Sequence, residues 1–193
     1  ELLTQQRRAP GGGWTFRYKN MVFVECLAGI IPFLARMGSI SGEDRYYDEA
    51  VRQLVNFYDR LRDPATGLMC QGEGYRIFDD WPESERRRTE GAWGRGNGWM
   101  ALALAELIAF LPAEHQLYQD VWDRLTDFYA VLLRHQDDGG MWRQIIDRPD
   151  AYPETTGTAL ITYSLGRLVT LQKAGLEFPA PAKRARDALL DMV

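Results

Sequence analysis

The stretch Trp93–Pro112, WGRGNGWMALALAELIAFLP, decides the fold. From Trp99 to Leu111 it is apolar on every side of a helix, with Glu106 as its only charge. A helix that is apolar all round is expected to be buried all round. The part before it puts two tryptophans, an arginine, an asparagine and three glycines into seven residues. Glycine weakens regular elements. Trp93–Trp99 therefore reads as a shaped entrance to the buried helix, with Asn97 as its N-cap.

Outward from this stretch, the same kind of helix recurs. Met21–Arg36 (MVFVECLAGIIPFLAR) carries only Glu25 before its end, and Thr158–Leu171 (TALITYSLGRLVTL) carries only Arg167. Amphipathic helices alternate with these. One has Tyr47, Ala50, Val51, Leu54, Phe57, Tyr58 and Leu61 on its apolar face. Another has Tyr118, Val121, Trp122, Leu125, Phe128, Tyr129 and Leu132. Both sets follow the i, i+3, i+4, i+7 spacing. A last amphipathic segment, Pro181–Val193, starts on a proline suited to a first helical turn and carries Ala182, Ala185, Leu189 and Met192 on one side.

The connections repeat as well. GLMCQ (Gly67–Gln71) and GMWRQ (Gly140–Gln144) follow the first two amphipathic helices, 73 residues apart. The pattern predicts helical hairpins packed side by side, apolar helices inside and amphipathic helices outside. The fold class is all-α, an α/α toroid of the (α/α)6-barrel type, with residues 1–193 as one domain. MWRQIID reads as a short strand or an extended loop. Three hairpins are fewer than a closed ring needs. The chain therefore reads as a segment of a longer protein, or one that completes itself with another chain as a homo-oligomer.

Bulk properties narrow the partners. In 193 residues, 46% are hydrophobic, 26% are charged, and the net charge is −4. That suits a globular domain and argues against nucleic acid or an anionic membrane as partner. No run reads as a membrane span. Two cysteines, Cys26 and Cys70, and two histidines, His115 and His135, argue against a zinc site or a disulfide framework as the organising device. A reducing, cytoplasmic setting is expected.

In a ring of hairpins, the loops before the inner helices meet at one mouth. Here they read GGGWTFRYKN, GYRIFDDWPESERRRTEGAWGRGNGW and WRQIIDRPDAYPETTG. Tryptophan and tyrosine offer flat faces for sugar C–H groups. Arginine offers a planar fork for a carboxylate. A sugar acid suits this set, with Arg95 binding its anionic group and Trp99 and Trp93 stacking; the alternatives are a salt bridge from Arg95 to an acid in a neighbouring loop and a core role for Trp99. Gln71 and Gln144 either contact the ligand or bond backbone between hairpins. Glu25 is either a favourable charge at a helix start or a functional acid. Glu154 and Thr155 read as capping residues, and ESERRRTE as a solvated loop or a gate for an acidic oligosaccharide.

WGRGNGWMALALAELI resembles the signature of glycoside hydrolase family 105, the unsaturated rhamnogalacturonyl hydrolases, and of their relatives in family 88. VECLAGIIPFLARMG and YPETTGTALITYSL resemble further segments of that family, and the likeness runs from about Trp14 to Ala188. The resemblance implies an (α/α)6 barrel without metal or organic cofactor. It implies removal of an unsaturated uronic acid from pectin-type oligosaccharides by hydration of an enol ether. Arg95 and Trp99 match the family's binding arginine and stacking tryptophan. Glu25 stands where the family has its catalytic aspartate, and Gln71 where many members have a histidine. A non-catalytic carbohydrate-binding barrel and a purely structural hairpin domain are the alternatives.

Overall fold

The computed structural model describes residues 2–6, 8, 12–14, 21–74, 88–172 and 177–192. A short helix α1 (Leu2–Gln5) leads. A strand β1 (Val22–Phe23) and a 3-10 turn (Val24–Cys26) then feed α2 (Leu27–Ser41), and α3 (Asp44–Leu61) follows. Strand β2 (Gly72–Glu73) pairs antiparallel with β1. The chain continues as α4 (Gly94–Phe110), α5 (Tyr118–Leu133), α6 (Thr155–Thr170) and α7 (Pro179–Leu190).

The layers follow the apolar pattern. Helices α2, α4 and α6 lie side by side with α4 in the middle, while α3 packs on α2, α5 on α4 and α7 on α6. All seven apolar positions expected on α3 are buried. On α5, Tyr118 and Trp122 are only partly covered and the other five are buried. Helix α7 begins at Pro179, two residues before the expected proline, with the buried Phe178 just ahead of it.

Two expectations about the inner helices are corrected. Only α4 is buried nearly all round, because it alone has an inner neighbour on each side. Helices α2 and α6 each show an open face, where Phe33 is 48% and Tyr163 50% exposed. In addition, Val24–Ser41 does reach the length and apolar composition of a membrane span. It is instead the innermost part of the first hairpin, packed on α3 and α4.

The glycines of the opening stretch are the third correction. Gly94, Gly96 and Gly98 lie inside α4, not in a loop before it. A Cβ on Gly94 would sit 2.2 Å from the Arg143 carbonyl oxygen. One on Gly96 would sit 2.9 Å from Val24 Cγ1, and one on Gly98 2.9 Å from Leu160 Cβ. The three glycines let the starts of α2 and α6 and the Gly140 turn close in on α4. They serve helix packing.

The repeated turns stitch neighbouring hairpins. Gly67 and Gly140 both take left-handed backbone, φ 78° and 90°, which only glycine adopts cheaply. Two residues later, the Met69 N–H donates to Asn97 Oδ1 (2.8 Å) and the Trp142 N–H donates to Thr158 Oγ1 (3.0 Å). At the ends of the turns, the Gln71 carbonyl accepts from the Val24 N–H and the Gln144 carbonyl from the Gly94 N–H. Each turn thus ties the inner helix of its own hairpin to the next one. Asn97 is therefore not an N-cap. It lies within α4, has no solvent exposure, and also donates from Nδ2 to the carbonyls of Met69 (3.0 Å) and Trp93 (2.9 Å).

At the other end of the inner layer, the lone charges meet. Glu106 of α4, 2% exposed, accepts from Arg36 of α2 and from Tyr163 and Arg167 of α6. Both guanidiniums also lie over the Phe110 ring, at 5.2 and 5.7 Å. Burial alone would raise the Glu106 pKa, but the Tyr163 and Arg36 hydrogen bonds and the two cations outweigh it and hold the carboxyl below its usual range. The less buried residues of α4, including Arg95, Trp99, Leu102 and Phe110, recur at helical spacing on one stripe. Convergence of α2 and α6 side chains on Glu106 shows that this stripe faces the concave side of the layer. Arg95 and Glu106 lie about 16 Å apart along the helix.

Asn97→Ala should lower the unfolding free energy in urea by about 3 kcal/mol, because it strands the Met69 N–H and carbonyl in a dry site. Asn97→Asp should also be destabilising, since a carboxylate cannot donate to the Met69 and Trp93 carbonyls. A loss below about 1 kcal/mol for the alanine variant would mean that the turn is held by other contacts.

Candidate functional site

The N-terminal ends of α2 and α4 come together through the loops that precede them. Val22 pairs with Glu73, Glu73 bridges to Arg88, Trp93 bridges to Ile145, and Arg143 bridges to Pro153. Of the two readings of MWRQIID, the extended loop is the one found, carrying isolated bridges at Arg143 and Ile145. Arg60 anchors β2 through a two-pronged pair with Glu73, at 2.9 and 3.1 Å. The aromatic and charged stretches 15–20 and 75–87, which include most of ESERRRTE, lie outside the described residues.

Glu25 sits in the 3-10 turn between β1 and α2. The turn is fixed by the Val24 N–H bond to Gln71 and by packing of Val24 against Gly96 of α4. Glu25 is half-buried. Its Oε2 is shielded from solvent and, among the described residues, finds no hydrogen-bond partner. A carboxylate oxygen buried without a donor is costly, so this atom is set to take a hydrogen bond or a proton from something that enters. The neighbouring Cys26 thiol is pushed up to about 11 by burial and then by the Glu25 charge, against a smaller opposing effect of the Phe23 backbone.

Arg95 lies in the first turn of α4. Its guanidinium stacks on the Trp93 ring, 4.4 Å from the centroid, a cation–π contact that fixes its plane. Its Nη1 lies 3.7 Å from Glu154 Oε1. The side chain is 37% exposed. Trp99 follows one turn later on the same stripe, half-buried. The Trp93 face that was expected to stack on a sugar is thus used to carry Arg95.

Gln144 joins this end of α4. Its carbonyl accepts from Gly94, its N–H donates to the Tyr152 carbonyl, and its side-chain Oε1 is buried with no partner. For Gln71, the bond between hairpins is made by the backbone carbonyl. Glu25, Trp93, Arg95 and Gln144 are therefore brought to one end of the inner layer, with Gln71 supporting it from the β2 side.

Glu154 is the residue that the sequence reading underrates. It does cap α6, as expected: its carboxylate accepts from the Thr156 and Gly157 N–H groups. It is also 8% exposed and paired with Arg95. The YPETTG motif signalled the cap, but nothing local to it signalled the partner on α4.

The profile of Glycosyl Hydrolase Family 88 matches residues 2–193. The chain is 29% identical over 168 residues to the unsaturated rhamnogalacturonyl hydrolase YesR of Bacillus subtilis (strain 168), covering 86% of this chain and 44% of that one. It is 26% identical over 163 residues to Protein Atu3128 of Agrobacterium fabrum (strain C58 / ATCC 33970), covering 82% of this chain and 69% of that one. Among solved structures, a family 105 glycoside hydrolase of C. acetobutylicum ATCC 824 superposes with a TM-score of 0.86 at 26% identity, over 97% of this chain and 54% of that one. The unsaturated glucuronyl hydrolase of Bacillus sp. GL1 shares the fold, with a TM-score of 0.67 at 16% identity, over 96% of this chain and 50% of that one. The three hairpins are thus an arc of the α/α toroid. The chain spans less than half the length of YesR, and it belongs to glycosyl hydrolase family 88.

The Cys26 thiol reports the charge on Glu25 without any substrate. In a Cys70→Ser background, Cys26 should react slowly with iodoacetamide at pH 8, since very little of a thiol with so high a pKa is thiolate. Glu25→Gln should speed alkylation, because removing the neighbouring negative charge lowers the Cys26 pKa. An unchanged rate would show that the carboxylate is neutral or turned away from Cys26.

Proposed function

We propose that this family 88 chain contributes the uronyl-binding and acid/base side of a hydrolase acting on unsaturated uronic acids at the ends of pectin-type, rhamnogalacturonan-derived oligosaccharides. One observation carries the reading. A buried carboxylate oxygen without a partner, on Glu25, lies at the same end of the inner layer as the Arg95 cation stacked on Trp93. The name of the B. subtilis relative, an unsaturated rhamnogalacturonyl hydrolase, supports the substrate class.

The roles follow from the chemistry of each group. Arg95 presents guanidinium N–H groups to the uronate carboxylate. Trp99 supplies an apolar face for the ring. Gln144 Oε1, which has no donor of its own, accepts from a sugar hydroxyl. Glu25 in its acid form gives its proton to C4 of the enol ether, and the positive charge left at C5 is shared with the ring oxygen. Water adds at C5, and its surplus proton returns to the Glu25 carboxylate. The resulting hemiketal opens to a ketone, and the hemiacetal left at C1 expels the remaining saccharide as its alcohol. One water is consumed and the acid is regenerated. No metal or organic cofactor enters these steps. The cysteines Cys26 and Cys70 are unpaired, which suits a reducing, cytoplasmic setting.

The test is the ultraviolet absorbance of the enol ether in lyase-generated unsaturated pectin disaccharides. Wild type should bleach it. Glu25→Gln should lower kcat by about 100-fold or more with little change in KM, and Arg95→Ala should mainly raise KM. Equal rates in wild type and Glu25→Gln would remove Glu25 from the reaction. Saturable binding without bleaching would favour a binding-only barrel.

A further inference from the structure

We propose that Glu154 is a positioning residue that shares Arg95 with the bound uronate and so sets how tightly the site holds an acidic sugar. This rests on the reading of Arg95 as the uronate-binding cation, and it assigns Glu154 a role beyond its cap.

Four observations combine. The Glu154 carboxylate is locked in place: Oε1 accepts from the Thr156 N–H at 3.0 Å and Oε2 from the Gly157 N–H at 2.5 Å. Its own N–H donates to the Trp142 carbonyl at 2.8 Å, within the repeated turn. Oε1 then lies 3.7 Å from Arg95 Nη1, close enough for charge attraction and too long for a hydrogen bond. Finally, Arg95 takes its orientation from the Trp93 ring at 4.4 Å.

The approach is built into the backbone. A Cβ on Gly157 would lie 2.9 Å from Glu154 Oε2, 3.0 Å from the Arg95 nitrogen and 2.8 Å from the Gly94 carbonyl carbon. Only a glycine at 157 lets the start of α6 come this near the start of α4, and that nearness brings the carboxylate to the guanidinium.

The consequence is a cation whose charge is partly cancelled but whose side-chain donors make no hydrogen bond among the described residues. An arriving carboxylate can take the Arg95 N–H groups without stranding Glu154, which stays on two amides at the positive end of α6. The incoming anion also meets the repulsion of Glu154. Both effects weaken retention of an acidic sugar, including the acidic product that must leave, and neither touches a neutral one.

The experiment compares binding of D-galacturonate and D-galactose by calorimetry for wild type, Glu154→Gln, Glu154→Asp and Arg95→Ala. Glu154→Gln should bind galacturonate about three- to fivefold more tightly and galactose as before. Glu154→Asp keeps a capping carboxylate and should retain the wild-type preference, and Arg95→Ala should lose it. If Arg95→Ala abolishes the preference but Glu154→Gln leaves it unchanged or lowers it, the role of Glu154 is refuted and the site reading stands. If both sugars weaken together in Glu154→Gln, Glu154 is only a cap. If wild type shows no preference for galacturonate, or Arg95→Ala keeps one, the reading of Arg95 falls and that of Glu154 with it.

Discussion

A single buried amide holds the hairpins in register. Asn97 satisfies both backbone groups of Met69 and the Trp93 carbonyl from inside α4. Water cannot replace it, since the residue has no exposure. A turn tied in this way fixes the end of one hairpin against the start of the next inner helix. The same device recurs one hairpin later with a hydroxyl, Thr158, in place of the amide. The Arg95 end of the inner layer is placed by these two stitches. They set where Val24 and Gly94 receive their carbonyl partners, and hence where Glu25 and Arg95 stand.

The two ends of the inner layer solve different problems. At the Glu106 end the buried carboxylate is fully partnered: it faces two arginines and a tyrosine, and both cations also lie over the Phe110 ring. At the Arg95 end polar atoms are left over. Glu25 Oε2 and Gln144 Oε1 are buried without donors, and Arg95 keeps unshared donors beside a carboxylate that it does not hydrogen-bond. Leftover polar capacity in a packed protein is expensive. In the proposed function, a bound sugar completes the bonding of the Glu25 and Gln144 side chains.

Much of this was legible in the sequence, because apolar periodicity reports burial directly. The alternation of all-apolar and amphipathic helices gave the layers, and the paired GLMCQ and GMWRQ turns gave the repeat. The glycines of WGRGNGW were misread because sequence shows only that a residue lacks a side chain. It does not show whether the space serves a turn, a ligand or a neighbouring helix. Here Leu160, Val24 and the Arg143 carbonyl occupy it. Asn97 was misread for a related reason: its partners are 28 residues away in the chain, and local cap chemistry looks the same. A salt bridge from Arg95 to an acid of a neighbouring loop is one of the two sequence readings of that residue, but Glu154 could not be singled out as the acid, since its cap is visible locally and the contact between helices is not.

The central claim is that this end of the α/α layer receives an unsaturated uronyl sugar. A crystal structure of the Glu25→Gln variant soaked with an unsaturated pectin disaccharide tests it most directly. The account predicts the uronate carboxylate at Arg95, the ring against Trp99, and the residue 25 side chain within hydrogen-bond reach of the double-bonded carbons' ring face. An ordered sugar held elsewhere, for example in the outer groove between α3 and α5 lined by Asp48, Arg52, Asn56 and Asp120, with the Arg95 end empty, would contradict it.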